Sequence, residues 1–143
     1  MNSHTLEIRP TSKYFIRDYG IVVKRSKTGL GLFATQDIPK GACILEYVGE
    51  IISEEDATNS KSRYLFEINK NHTIDGSARS NKARYLNHAC IPNCIAEEHR
   101  KRIFFLTKKK VKSGEELTFD YGTEYFDEFI KPHGCKCSSC VKK

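Results

Sequence analysis

Residues 84–94 read RYLNHACIPNC. Asn87, His88 and Asn93 put polar groups straight after an apolar Tyr-Leu pair, where a regular strand or helix would continue its pattern. Two thiols sit among them, Cys90 and Cys94, each able to serve as a metal ligand, a half-cystine or a small hydrophobe. A second group closes the chain, where CKCSSC sets Cys135, Cys137 and Cys140 within six residues. Free thiols are usually buried, yet this tail is otherwise polar. Zinc takes four ligands, with thiolate sulfur at about 2.3 Å, so the three thiols predict a zinc ion. The fourth ligand must come from His133 nearby, or from Cys90, Cys94 or Cys43 in the body.

Two more stretches carry chemistry only in company. In TGLGLF (28–33) a lone Gly-x-Gly marks a tight turn as readily as a ligand contact. No strand-helix context for a dinucleotide fingerprint surrounds it, and no Lys-Ser/Thr of a phosphate loop follows. Any ligand there would meet bare backbone. In ELTFDYG (116–122), Phe119 and Tyr121 alternate with Asp120 and so share a strand face. An isolated tyrosine of this kind reads as core or half-buried.

The elements that must position these residues are short. GIVVKR (20–25) and LGLFAT (30–35) read as strands, the second closed by a turn at Pro39 and Gly41. CILEYVGEII (43–52) reads as one long strand bent at Gly49. Ser53 before Glu54, Glu55 and Asp56 is an N-cap with an acidic first turn, predicting a helix over about 54–60. RYLFEI (63–68) and HTID (72–75) predict a hairpin across 69–71, and IFFLTKKKV (103–111) and EELTFDY (115–121) predict another across 112–114. TEYFDEFI (123–130) is amphipathic at helical spacing. The chain is expected to be mainly β.

At 143 residues the chain is one domain, large enough for a real core. Its 38% hydrophobic and 29% charged residues are a globular balance, and no apolar run reaches the ~18 residues of a membrane span. The opening MNSHTLEIRP lacks a basic segment followed by an apolar one, which predicts an intracellular protein without a secretory signal. In a reducing compartment six cysteines point to thiols or metal ligands. The net charge of +6 favours polyanions in general. Lys108, Lys109 and Lys110 are the dense basic run, read as a solvated strand end because no aromatics interleave with them. Acidic clusters at 54–56 and at Glu124, Asp127 and Glu128 could receive a basic peptide.

Together, GLGLFA, YLFEI, IDG, ARYLNHACIPNC, ELTFDYG and the terminal cysteines resemble the SET-domain lysine methyltransferases in order and spacing. The resemblance covers about residues 18–140. It implies a fold of small curved sheets with short helices and a C-terminal pseudoknot, with residues 1–17 as a lead-in, 18–122 as the SET domain and 123–143 as a zinc-binding post-SET segment. It also implies S-adenosylmethionine as methyl donor. Gly29, Leu30 and Gly31 would approach that donor by backbone, and Arg84, Asn87, His88 and Tyr121 would lie beside it. Tyr121 and Tyr64 would be the catalytic pair at a lysine channel walled by Tyr64, Tyr85 and Phe119. Pro92 and Asn93 would lie at the pseudoknot. Cys90 would join Cys135, Cys137 and Cys140 on zinc, with Cys43 and Cys94 in the core. The family's usual tail has four residues before its last cysteine where this chain has two, which keeps His133 as an alternative ligand. Tyr125, Phe126 and Phe129 are candidates to close the channel.

The implied substrate is a lysine-bearing protein, such as a histone-like tail, carried to di- or trimethyl-lysine because Phe119 stands where some members have tyrosine. The chain would then act in the cytoplasm or at chromatin. Two other classes compete: a non-catalytic SET-fold binding module stapled by zinc, and a small basic nucleic-acid-binding protein. Nucleic-acid contact is otherwise expected to be secondary.

Overall fold

The computed structural model describes residues 7–27 and 29–122. Among the described residues ten short strands form three sheets. β1 (Val22–Ser26) pairs with β2 (Gly29–Phe33), β2 with β10 (Glu116–Phe119), and β10 runs parallel to β7 (Asn87–His88). The second sheet has β9 (Arg102–Thr107) between β3 (Cys43–Tyr47) and β8 (Cys94–His99). The third places β6 (His72–Asp75) between β4 (Glu50–Ile52) and β5 (Leu65–Asn69). Helix α1 (Glu54–Asn59) begins where Ser53 Oγ accepts the Asp56 N–H at 3.1 Å, the cap that orphan first-turn donors require. A four-residue 3₁₀ helix, Lys82–Tyr85, which the sequence pattern did not announce, leads into β7.

Two expectations are corrected. The segments 103–111 and 115–121 do not pair as a hairpin: β9 is the centre of one sheet, while β10 lies between β2 and β7 in another. The stretch 43–52 is not one bent strand but two, β3 and β4, in different sheets. The bend does fall at Gly49, for a steric reason. A Cβ there would sit 2.1 Å from the carbonyl oxygen of Asp75, so only glycine lets the chain pass β6 this closely.

β9 is buried on both faces, which is why it reads as a continuous apolar run. Phe105 enters the main core with Leu32, Ile44, Leu86, Leu117 and Phe119. Phe104 points the other way, into a smaller cluster with Cys43 and Leu106 that Ile8 and Tyr14 of the lead-in cover. Full burial of a phenylalanine stabilises by about 1.5–3 kcal/mol, so the lead-in has an energetic reason to dock. Tyr14 adds a hydroxyl bond to Glu97 at 2.9 Å and a stack on His99 at 4.5 Å.

Candidate active site

The segment 87–93 and β10 are laced together. Asn93 is buried; its Nδ2 donates to the Glu116 carbonyl at 2.9 Å and its Oδ1 accepts the Thr118 N–H at 2.9 Å. One side-chain amide thus completes a ladder along β10. Ala89 N–H donates to the Phe119 carbonyl at 3.1 Å, extending the parallel contact that begins at Thr118 and Asn87. These bonds fix where β10 delivers Phe119 and Tyr121.

Tyr121 is tied at both ends. Its N–H donates to His88 Nδ1 at 3.1 Å, and its hydroxyl donates to the Leu86 carbonyl at 2.5 Å. The first bond occupies the Nδ1 lone pair, so the neutral imidazole carries its proton on Nε2. Nε2 faces Cys90 Sγ at 3.5 Å. The Asp120 carboxylate stands 3.8 Å from Nδ1, on the solvent side of the ring. The Tyr121 ring lies 4.9 Å from Phe119 and 5.4 Å from His88, centroid to centroid.

Behind Tyr121 the walls are aromatic. Phe119, buried, meets Phe105 at 4.8 Å edge-on and stacks near-parallel on Phe66 at 6.2 Å. Tyr64, two residues before Phe66, has its ring 4.2 Å from the guanidinium carbon of Arg84, and Tyr85 lies 5.3 Å from the same carbon. Arg84 therefore joins the two tyrosines expected at the channel. It also donates to the Ser77 carbonyl at 2.5 Å, while its Nε is buried with no hydrogen-bond partner. Its pKa is raised, first by the bond to Tyr64, against a burial effect that lowers it.

On the other side of β10, Asn87 Nδ2 donates to Glu116 Oε2 at 2.7 Å, to the Leu30 carbonyl at 3.1 Å and to Ser26 Oγ at 3.3 Å. Asn87 thus braces the Gly-Leu-Gly strand. Gly31 leaves room for both side chains: a Cβ would fall 2.4 Å from Glu116 Oε2 and 2.9 Å from Asn87 Nδ2. Gly29 has φ +120°, a region that favours glycine, with open space where its Cβ would be, and Leu30 beside it is half exposed.

A family model described as the SET domain matches residues 29–122. The chain belongs to the SET-domain family. Among curated SET relatives, histone-lysine N-methyltransferase trr of Drosophila melanogaster is 38% identical over 136 aligned positions, covering 85% of this chain and 6% of that protein. The H3 lysine-4 specific histone-lysine N-methyltransferase of Schizosaccharomyces pombe is 38% identical over 123, covering 77% and 13%. Histone-lysine N-methyltransferase 2D of Homo sapiens is 32% identical over 160, covering 93% and 3%. The chain spans a small fraction of each of these proteins.

Several contributors to the SET site were missed at the sequence level. Phe66 is the face on which Phe119 stacks, and its signal was the i+2 spacing from Tyr64 in YLFEI. Tyr47 donates its hydroxyl to the Tyr64 carbonyl at 2.6 Å. Asn81, fully buried, ties Val48 N–H to its Oδ1 at 3.0 Å and gives Nδ2 to the Gly76 carbonyl at 3.0 Å. Neither carried a local signal. Arg84, expected beside the methyl donor, has its guanidinium against Tyr64 and Tyr85.

Of the thiols in the body, Cys43 and Cys94 are buried, and burial pushes each up to about 12. Both behave as core residues, as expected. Cys90 is exposed next to His88. Among the described residues no group of three or more His, Cys, Asp and Glu is placed to hold a metal. Cys135, Cys137, Cys140 and His133, with Tyr125, Phe126, Phe129 and the helix expected over 123–130, lie outside the described residues. Among the described residues no helix is long and apolar enough to cross a membrane.

Proposed function

We propose that this chain transfers a methyl group from S-adenosylmethionine to the side-chain amine of a protein lysine. The observation that carries the reading is the placement of Tyr121. Its hydroxyl is fixed on the Leu86 carbonyl and its ring on Phe119, one residue pair away from the Asn87 brace of the Gly-Leu-Gly strand.

The residues present suit the donor. Exposed Gly29 and Leu30 offer backbone without side-chain bulk at Gly29, and Asn87 and His88 stand at the adjoining strand. Gly29, Leu30, Gly31, Asn87 and His88 would hold the donor, which supplies a methyl on a positively charged sulfur. The chain's own contribution is positioning. A lysine amine has a pKa near 10.4 in water and must be neutral to attack. An aromatic channel of Tyr64, Tyr85, Phe66 and Phe119 disfavours the ammonium by desolvation. Its proton leaves to water, since no general base stands among these residues. Tyr121 and Tyr64 orient the amine lone pair.

The relatives' names cite histone lysines, H3 lysine-4 in one and H3 lysine-36 in another. A histone-like tail is the proposed substrate class, and chromatin the proposed place of action, with Phe119 favouring di- or trimethylation. One zinc on Cys90, Cys135, Cys137 and Cys140 is proposed to complete the tail, with His133 as the replaceable fourth ligand. A lysine peptide array with labelled S-adenosylmethionine tests the activity: label on lysine peptides, lost in Tyr121→Phe, is expected. Absence of label with the donor bound would overturn it. Metal analysis tests the zinc, with one equivalent expected and loss in Cys140→Ser.

A further inference from the structure

We propose that the face formed by the lead-in, the turn 39–42 and the lysine run 108–110 binds the phosphodiester backbone of a single-stranded nucleic acid. A groove of about 250 Å³ opens between residues 10–19 and the turn 39–42, and none of the channel residues lines it. Its cations are Lys13, Arg17 and Lys40, its aromatic walls Phe15 and Tyr19, and no carboxylate lines it. The proposal stands independently of the methyltransferase reading.

Lysines 108–110 belong to the same end of the molecule. Thr107 fastens the turn: its carbonyl accepts the Gly41 N–H at 2.8 Å, and its hydroxyl donates to the Pro39 carbonyl at 2.6 Å and accepts the Ala42 N–H at 3.0 Å. Lys108 follows directly, so Lys40 and Lys108 flank one laced junction. Charges of opposite sign answer only part of this set. Glu97 pairs with Lys13 at 2.9 Å and Asp37 with Lys110 at 3.8 Å. Among the described residues Arg17, Lys40, Lys108 and Lys109 take part in no ion pair. Uncompensated cations gathered on one face attract a polyanion.

The aromatics decide the kind of polyanion. The lysine run has none beside it in sequence, but the fold brings Phe15 of the lead-in and Tyr19 just after it to the neighbouring groove. The Arg17 guanidinium already lies 5.2 Å over the Phe15 ring. Basic grooves with aromatic platforms suit single strands, because every base has a face to stack, whereas a duplex or an acidic peptide uses the charge alone.

The test is fluorescence polarisation of a labelled single-stranded oligothymidylate of ~20 nucleotides against the full chain over a salt series, with thermal melts to verify folding. In Lys40→Ala/Lys108→Ala/Lys109→Ala, affinity should fall at least ~10-fold and the salt slope should shrink by about 2. Lys24→Ala/Arg25→Ala/Lys27→Ala, on β1 and the turn after it, removes the same charge and should change little. Phe15→Leu should weaken the single strand more than a duplex of equal length. Equal losses in the two triple variants, salt-independent binding, or equal competition by polyglutamate would each overturn the proposal.

Discussion

The guanidinium of Arg84 lies over the Tyr64 ring, 4.2 Å from ring centroid to carbon, while bonding the Ser77 carbonyl, so it pins the ring that is proposed to wall the channel. Lysine has neither the planar face nor the fork. Arg84→Lys should therefore fail to rescue Arg84→Met, and both should lower kcat severalfold with donor affinity unchanged. Steady-state kinetics with donor binding by calorimetry checks this; a loss in donor affinity would instead place Arg84 beside the donor.

Tyr121→Phe removes the hydroxyl that donates to Leu86. A net hydrogen bond is worth about 0.5–1.5 kcal/mol, so stability should fall within that range. Turnover should fall at least ~100-fold with donor binding retained, a loss confined to the transition state. Chemical denaturation and single-turnover rates separate the two effects.

Phe119 is enclosed by Phe66, Phe105 and Tyr121. A hydroxyl added in Phe119→Tyr either reaches the channel, holding water where a second methyl would go, or is buried unpaired at about 1–3 kcal/mol. The first outcome is expected: mass spectrometry of a methylated peptide should show a shift toward one methyl with the first transfer intact.

Gly31→Ala should force Glu116 off Asn87, because the new methyl falls 2.4 Å from Glu116 Oε2. Donor affinity should drop. Since the obstacle is the end of a flexible side chain, Gly31→Ala/Glu116→Ala should recover most of the lost melting temperature, a coupling that a double-mutant cycle measures. Gly49→Ala should find no such rescue, as its obstacle is the Asp75 carbonyl.

Glu97 is held below its ordinary range by hydrogen bonds from Lys13 and then Tyr14. A depressed carboxylate contributes stability that is present above its unfolded value of about 4.3 and lost as pH falls through the lower folded value. The lead-in should therefore loosen from β8 and β9 below about pH 4. Amide exchange of residues 12–15 checks this, and Glu97→Gln should flatten the dependence.

The local signals that proved legible were those with a local cause. Ser53 and its acidic successors marked α1 because a cap is satisfied within three residues, and Gly49 marked the bend because β6 presses on it. Strand partners were not legible. The turn at 112–114 suggested a hairpin, but β10 finds Phe33 and Leu32 on one side and Asn87 and His88 on the other, all far back in the chain. The motif residues about Tyr121 could be read, whereas Asn81 and Tyr47 act through distant backbone groups that no spacing reveals.

β10 is the last strand described, and it is the one that both β2 and β7 need. During synthesis the Gly-Leu-Gly strand is made early, yet it has only β1 beside it until residues 116–119 have emerged. The sheet that holds the Gly-Leu-Gly strand is therefore completed only when β10 arrives, whatever order the other two sheets follow. A nascent or prematurely ended chain would own β1, β2 and β7 but lack the strand whose Glu116 meets Asn87. The early and the late strands of that sheet meet only when Glu116 and Leu117 close against Phe33 and Leu32.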